Sequence, residues 1–261
     1  MLKNISKYAW FSFIPFILAI LLILYLLFTD IIPLYYLWCT LLGWVLISGL
    51  GIAVGYHRVF SHRTHSLPVW KENLILFFGA LGGQGSAITW TAIHRGYHHR
   101  FSDTARDLHS PVNGIGHAFF GWTLDITENS GKINLKGAVD LLRKPNHLWF
   151  HKHQLKIQWA VPILVALFNW QLPLMLIVLP TGVSILQDNI VNVMGHLPKY
   201  GYRNFDTNDN SSNFPLLGYL AWGQGWHNNH HFAPASYDFG NAVSGKWWEI
   251  DPCIIFNKFL R

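Results

Sequence analysis

Charge is what this 261-residue chain has least of. Lys, Arg, Asp and Glu make up 12% of it, about half the share of an ordinary soluble domain, which excludes a conventional water-soluble enzyme. Disorder is excluded as well: disordered chains combine low hydrophobicity with high net charge, and 51% of these residues are apolar. Cysteine is nearly absent. Cys39 and Cys253 are too few for a disulfide framework or a Cys-rich zinc module. Acids are scarce too, 13 against 19 Lys plus Arg. The positive balance comes with no basic–aromatic nucleic-acid motif and no phosphate-binding glycine fingerprint, so no nucleic-acid partner is expected. What is abundant is aromatic rings (13 Trp, 18 Phe, 10 Tyr) and histidine, whose 15 copies outnumber all the acids.

Long uncharged runs point to a membrane. Residues 9–29 carry no charge and neither do residues 31–56, with Asp30 and Pro33 at the turn between them. A span needs about 20 apolar residues, so both qualify, and the first is too long for a signal-peptide core. Residues 157–187 form another uncharged run. Asn169, Gln171 and Pro173 break it into two helices, the earlier one with Lys152 and Lys156 reaching back to the interface. Asp188, buried on the later helix, then requires a partner or a wet cavity. Residues 73–93 are also uncharged, but Gly82, Gly83 and Gly85 weaken any helix there. Arginines flank this tract on both sides, so the positive-inside rule puts both its ends in the cytoplasm; it reads as re-entrant or interfacial.

The expected fold is an all-α integral membrane protein of one domain, residues 1–261. Four transmembrane helices, near 9–29, 34–55, 149–169 and 173–194, form two hairpins. A helical cytoplasmic cap takes residues 57–147 and 196–261. All Lys and Arg then fall on the cytoplasmic side, where anionic headgroups attract them. Both termini are cytoplasmic, in a bacterial inner membrane or the endoplasmic reticulum.

Nine histidines gather near the predicted span ends: His57 and His62; His94, His98 and His99; His196; and His227, His230 and His231. At 100° per residue the last three lie within about a 100° arc of one helix, able to converge on a metal centre. Nine clustered imidazoles buried without a metal would leave many nitrogens wanting partners. One zinc takes four ligands, so nine suit two ions at four or five nitrogens each. Imidazole favours Zn, Cu, Fe or Ni over Mg or Ca. The Glu-x-x-His pairs of soluble di-iron bundles and the His-Glu-x-x-His of zinc proteases are both missing. An all-histidine dinuclear site at a membrane surface remains.

The segments Gly55-Tyr56-His57-Arg58-Val59-Phe60-Ser61-His62, His94-Arg95-Gly96-Tyr97-His98-His99, Asn192 with His196, and Gly225-Trp226-His227-Asn228-Asn229-His230-His231 resemble, in order and spacing, the histidine boxes of the membrane-bound fatty acyl desaturases. The resemblance is to their type 1, delta-9-like acyl-CoA or acyl-lipid branch. It implies a di-iron centre in the cap, bound by the nine histidines, with Asn192 reaching one iron through a water. It further implies an O2-dependent enzyme that introduces a cis double bond into a saturated acyl-CoA or acyl-lipid and reduces O2 to two waters. With no His-Pro-Gly-Gly heme motif present, electrons come from a separate ferredoxin or cytochrome b5-type donor with its reductase. The same boxes resemble membrane lipid hydroxylases, which is the alternative. A non-enzymatic metal-binding protein fits less well, because only Asp188 lies inside a span.

One departure matters. The family's second box has two residues between its first His and its His pair, whereas Arg95, Gly96 and Tyr97 make three here. On a regular helix His99 would lie about 140° from His94. A π-bulge or break, made cheap by Gly96, is expected to bring all three histidines to the metal. Asp103, Asp107, Asp188 and Asp238 are the candidate acceptors for the outer ring nitrogens. His109 either supports a ligand or makes a structural hydrogen bond, and His147, His151 and His153 read as interfacial.

Overall fold

The computed structural model describes residues 14–125 and 133–261. Every regular element among them is helical; the only β-type pairings are two isolated bridges at Asn213. Eight helices carry the argument: α1 (Ile14–Phe28), α2 (Leu34–Ser61), α3 (Val69–Leu81), α4 (Ala87–Ile93), α5 (Pro145–Ala166), α6 (Gln171–Met194), α7 (Pro215–Leu220) and α8 (His227–Phe232). At 28 and 24 residues, with mean hydropathies of 2.0 and 1.6, α2 and α6 are long and apolar enough to cross a membrane. The described part of α1 is a shorter apolar helix, and residues 9–13 of the expected first span lie outside the described residues. Around α1, α2 and α5, Leu21, Phe28, Trp38 and Phe168 face outward, an apolar surface of the kind that marks contact with another apolar phase.

Two turns close the hairpins at one end of the molecule. Asn169 caps the start of α6 by accepting from the Gln171 and Leu172 amides, which moves that start to Gln171 from the expected 173. The same side chain donates to Tyr36 Oη (2.8 Å), and Gln171 donates to the Ile31 carbonyl (2.9 Å). The α1–α2 turn is thus tied to the α5–α6 turn. Ile23, Met175 and Leu179 pack α1 onto α6. At the other end, α5 begins at Pro145, four residues before the expected 149, because proline suits a first helical position.

Residues 73–93 are broken where the glycines fall. α3 ends at Leu81, Gly83 (φ 70°) and Gly85 (φ 85°) turn the chain, and the Ser86 side chain caps α4 through the Thr89 amide. A single straight span there is excluded.

The end of α2 corrects the sequence expectation. It does not stop near residue 55; it continues to Ser61 and winds with i→i+5 bonds over Val45–Ser61. His57 therefore stands on the same continuous helix as the apolar residues before it. Close packing holds this wide winding. A Cβ on Gly51 would come 2.5 Å from the Gly79 backbone nitrogen, so only glycine lets α2 and α3 approach this closely. Arg58 is fully buried and fully paired. It meets Asp251 at 2.7 Å and donates to the carbonyls of Ala53, Trp222 and Tyr237. This guanidinium fastens the C-terminal segment onto the end of α2.

Candidate metal centre

Winding decides where the histidines point. An i→i+5 bond places residues five apart over one another, whereas a regular helix separates them by about 140°. His62 donates its amide to the His57 carbonyl, and His99 donates to that of His94. Beyond α4 the chain is π-wound over His94–His98, which is the bulge expected from the extra residue. Deleting Gly96 is therefore expected to return this box to a regular helix and keep two metal ions per chain. His99→Ala is expected to lose one of them, as elemental analysis of the two purified variants would reveal.

The nine histidines form two groups. His57, His62, His94, His99 and His230 make one; His98, His196, His227 and His231 make the other. In each group one nitrogen per residue lies within 4.8 Å of all the others. The converging atoms are Nε2: His57–His230 3.0 Å, His62–His94 2.8 Å, His94–His99 3.1 Å and His99–His230 2.9 Å. In the second group His98–His231 is 3.2 Å, His98–His196 3.4 Å and His196–His227 3.0 Å. Nitrogens at right angles around a metal about 2.1 Å away would sit about 3.0 Å apart, so the spacing in each group is that of nitrogens around one ion, and an all-imidazole set suits a transition metal such as Zn, Cu, Fe or Ni.

The three histidines of the last box divide between the two groups, because His230 and His231 are successive residues about 100° apart on α8 and face different groups. His98 and His99 divide in the same way. Asn192 stands on α6, four residues before His196 in the turn that follows it, and lines the same cavity as His98 and His227.

Outer partners orient the rings. His98 Nδ1 meets Asp107 at 3.0 Å, His196 Nδ1 meets Asp103 at 3.2 Å, His231 Nδ1 meets Asp209 at 2.7 Å, and His57 Nδ1 meets the Gln224 amide oxygen at 2.5 Å. Such partners hold the proton on Nδ1 and free Nε2 for a metal. Asp103 and Asp107 thus take the role expected of them. Asp238 does not: its carboxylate accepts from the Gly240 amide instead. Asp209, which the sequence reading misses, does serve, and its signal is the polar turn Thr207-Asn208-Asp209-Asn210-Ser211. Burial above all, with the charge of Arg95, pushes His62 down to about 3. Burial likewise pushes His231 down to about 4 against the pull of Asp209. These imidazoles stay neutral, as ligation requires.

His109 backs Asp107, its Nδ1 3.7 Å from the carboxylate and its ring packed on His98. His147 is not interfacial as expected. It is buried against Glu72 and Phe60, since the earlier start of α5 turns it toward α3. His151 meets Ser86 Oγ at 2.6 Å, and the His153 ring packs on Trp149.

The asparagines between the last-box histidines hold α8 in place. Asn228 accepts from the amides of Asn204 and Phe205, and Asn229 donates to Glu249 and to the Phe239 carbonyl. A cavity of about 350 Å³ runs from His57, His94, His98 and His227 along Trp90, Ile93, Leu155 and Ile185.

The fatty acid desaturase family profile matches residues 31–242. The chain is 32% identical to Delta-9 acyl-lipid desaturase 2 of Arabidopsis thaliana over 84% of its own length and 71% of the relative's. It is 32% identical to the sn-1 stearoyl-lipid 9-desaturase of Synechocystis sp., over 83% and 66% of the two lengths. With the chloroplastic palmitoyl-monogalactosyldiacylglycerol delta-7 desaturase of Arabidopsis thaliana it shares 33% identity, over 84% of its own length and 58% of the relative's. The family match takes in all four histidine segments, and the chain belongs to the fatty acid desaturase family.

Proposed function

We propose that this chain is an O2-dependent fatty acyl desaturase that places a cis double bond, at the delta-9 position, in a saturated acyl chain carried on a lipid or CoA. The observation that carries this reading is the pair of all-histidine groups, five and four imidazoles, opening onto one largely apolar cavity. Two irons are its cofactors, held by His57, His62, His94, His99 and His230 on one side and by His98, His196, His227 and His231 on the other, with Asn192 adding a contact through water. When bound, they supply the oxidising power toward an unactivated methylene that no side chain has.

The chain's own residues do the rest. Trp90, Ile93, Leu155 and Ile185 bind the acyl chain and exclude water from the reacting carbons. Asp103, Asp107, Asp209 and Gln224 keep protons on the outer ring nitrogens. In the net reaction the acyl chain gives up two hydrogens, and these leave with O2, two further electrons and two protons as two waters. The electrons come from a separate ferredoxin or cytochrome b5-type protein with its reductase.

α1, α2, α5 and α6 are four spans in this reading. Their two turns, tied together by Asn169 and Gln171, form the outer face. The boxes, the cap of residues 57–147 and 196–261 and both termini are cytoplasmic, in a bacterial inner membrane or the endoplasmic reticulum. Expression in a host of known lipid profile tests the activity. Mass analysis of fatty-acid methyl esters is expected to show a product lighter by two hydrogens, with the bond at carbon 9. A product heavier by one oxygen would assign a hydroxylase instead.

A further inference from the structure

Asp188 lies on α6 in the cavity wall and ligates nothing in the proposed centre. A carboxylate inside an apolar helix is costly and seldom idle. Its Oδ1 accepts from Gln224 Nε2 at 2.6 Å and its Oδ2 from Gln84 Nε2 at 2.5 Å. Gln224 Oε1 faces His57 Nδ1, and Gln84 Oε1 accepts from Trp90 Nε1 at 3.2 Å. Donors thus run inward from both ends, and Asp188 is where they stop.

The other oriented ligands, His98, His196 and His231, rest on carboxylates, which can only accept. His57 rests on an amide, which works either way round. Turned over, Gln224 would offer N–H to His57 Nδ1. The ring proton would then move to Nε2 and cover the lone pair a metal needs. We infer that Asp188 is a positioning residue for the five-histidine group: by accepting from Gln224 it fixes the amide's direction, and through it the His57 tautomer. The inference rests on the proposed metal-binding role of that group and adds what sets its ligand geometry.

Asp188→Asn is a nearly isosteric probe. It replaces one acceptor oxygen by an N–H2, so one glutamine must turn. Turning Gln84 would oppose its N–H2 to the Trp90 N–H, which can only donate; turning Gln224 would undo His57. The double variant Asp188→Asn/Gln224→Glu reverses the polarity. The amide introduced at position 188 donates to the carboxylate introduced at position 224, which can only accept from His57.

The test is titration of the metal-free, detergent-purified full chain with ferrous iron or cobalt. The parent is expected to take up two ions. Asp188→Asn is expected to bind one of them about 10- to 100-fold more weakly and the other unchanged, and the double variant to recover tight binding of both. Two ions held by Asp188→Asn as tightly as by the parent would overturn the inference. So would loss of both ions without recovery in the double variant, which would mark Asp188 as a packing residue. A parent that takes up other than two ions would instead sink the dinuclear reading.

Discussion

A His230→Ala protein is expected to bind one metal ion per chain where the parent binds two, and to turn over no acyl substrate above background. His230 is 1% exposed, with Nε2 3.0 Å from that of His57 and 2.9 Å from that of His99. It touches His57 of the first box and His99 of the second, so it brings the last box into the group those two boxes form. Removing it takes away a ligand outright, so the loss exceeds the about 10- to 100-fold that losing an outer partner typically costs. His231→Ala is expected to remove the other ion, although the two residues are neighbours. Neither change undoes α8, because Asn228 and Asn229 carry the bonds that hold it. Metal analysis of the two variants, with differential loading followed spectroscopically, checks the assignment. If both variants lose the same ion, the division into five and four is wrong.

The second large effect falls on the fold. Arg58→Ala is expected to destabilise the protein by about 3–5 kcal/mol, because it leaves Asp251 buried and unpaired. Asp251 is 1% exposed and also accepts from the Phe239 and Cys253 amides, so the segment it organises loosens with it. Thermal unfolding in detergent should fall by about 10 °C or more. Arg58→Lys is expected to recover only part of this, since an ammonium cannot reach Asp251 and three carbonyls on different segments at once. A melting temperature unchanged in Arg58→Ala would show that the C-terminal segment is held by other contacts.

Much of this is legible in the sequence because the signals are local. Uncharged runs mark helices without reference to the rest of the chain, and the Asn169–Pro173 break falls where polarity returns. Three residues between His94 and His98, set against the two of the resembling family, are enough to lead one to expect a bulge. The same arithmetic applies to His57 and His62, five apart, and implies the π winding of α2; the sequence reading carries it no further there. What stays hidden depends on distant partners. Arg58 and Asp251 are 193 positions apart, and nothing near either names the other. Asp209 lies in a polar loop, where an aspartate is ordinary, and only folding brings it to His231. The sharing of adjacent histidines between two groups also needs the third dimension, since a box read alone gives one arc and suggests one ion.

The carboxylates behind the histidines have a further consequence. Asp103, Asp107 and Asp209 all stand behind the four-histidine group, while His57 of the five-histidine group rests on a neutral amide. Neutral imidazoles add no charge at either place, so the interior carries an electric field directed from the larger group toward the smaller one. At about 6 Å and an effective dielectric near 20, each carboxylate stabilises a unit positive charge by roughly 3 kcal/mol. Two chemically identical ions would not be equivalent in this field. An ion held beside the three carboxylates would have its higher charge favoured, whereas at the five-histidine position the nearest carboxylate, Asp188, stands one residue further back, behind Gln224.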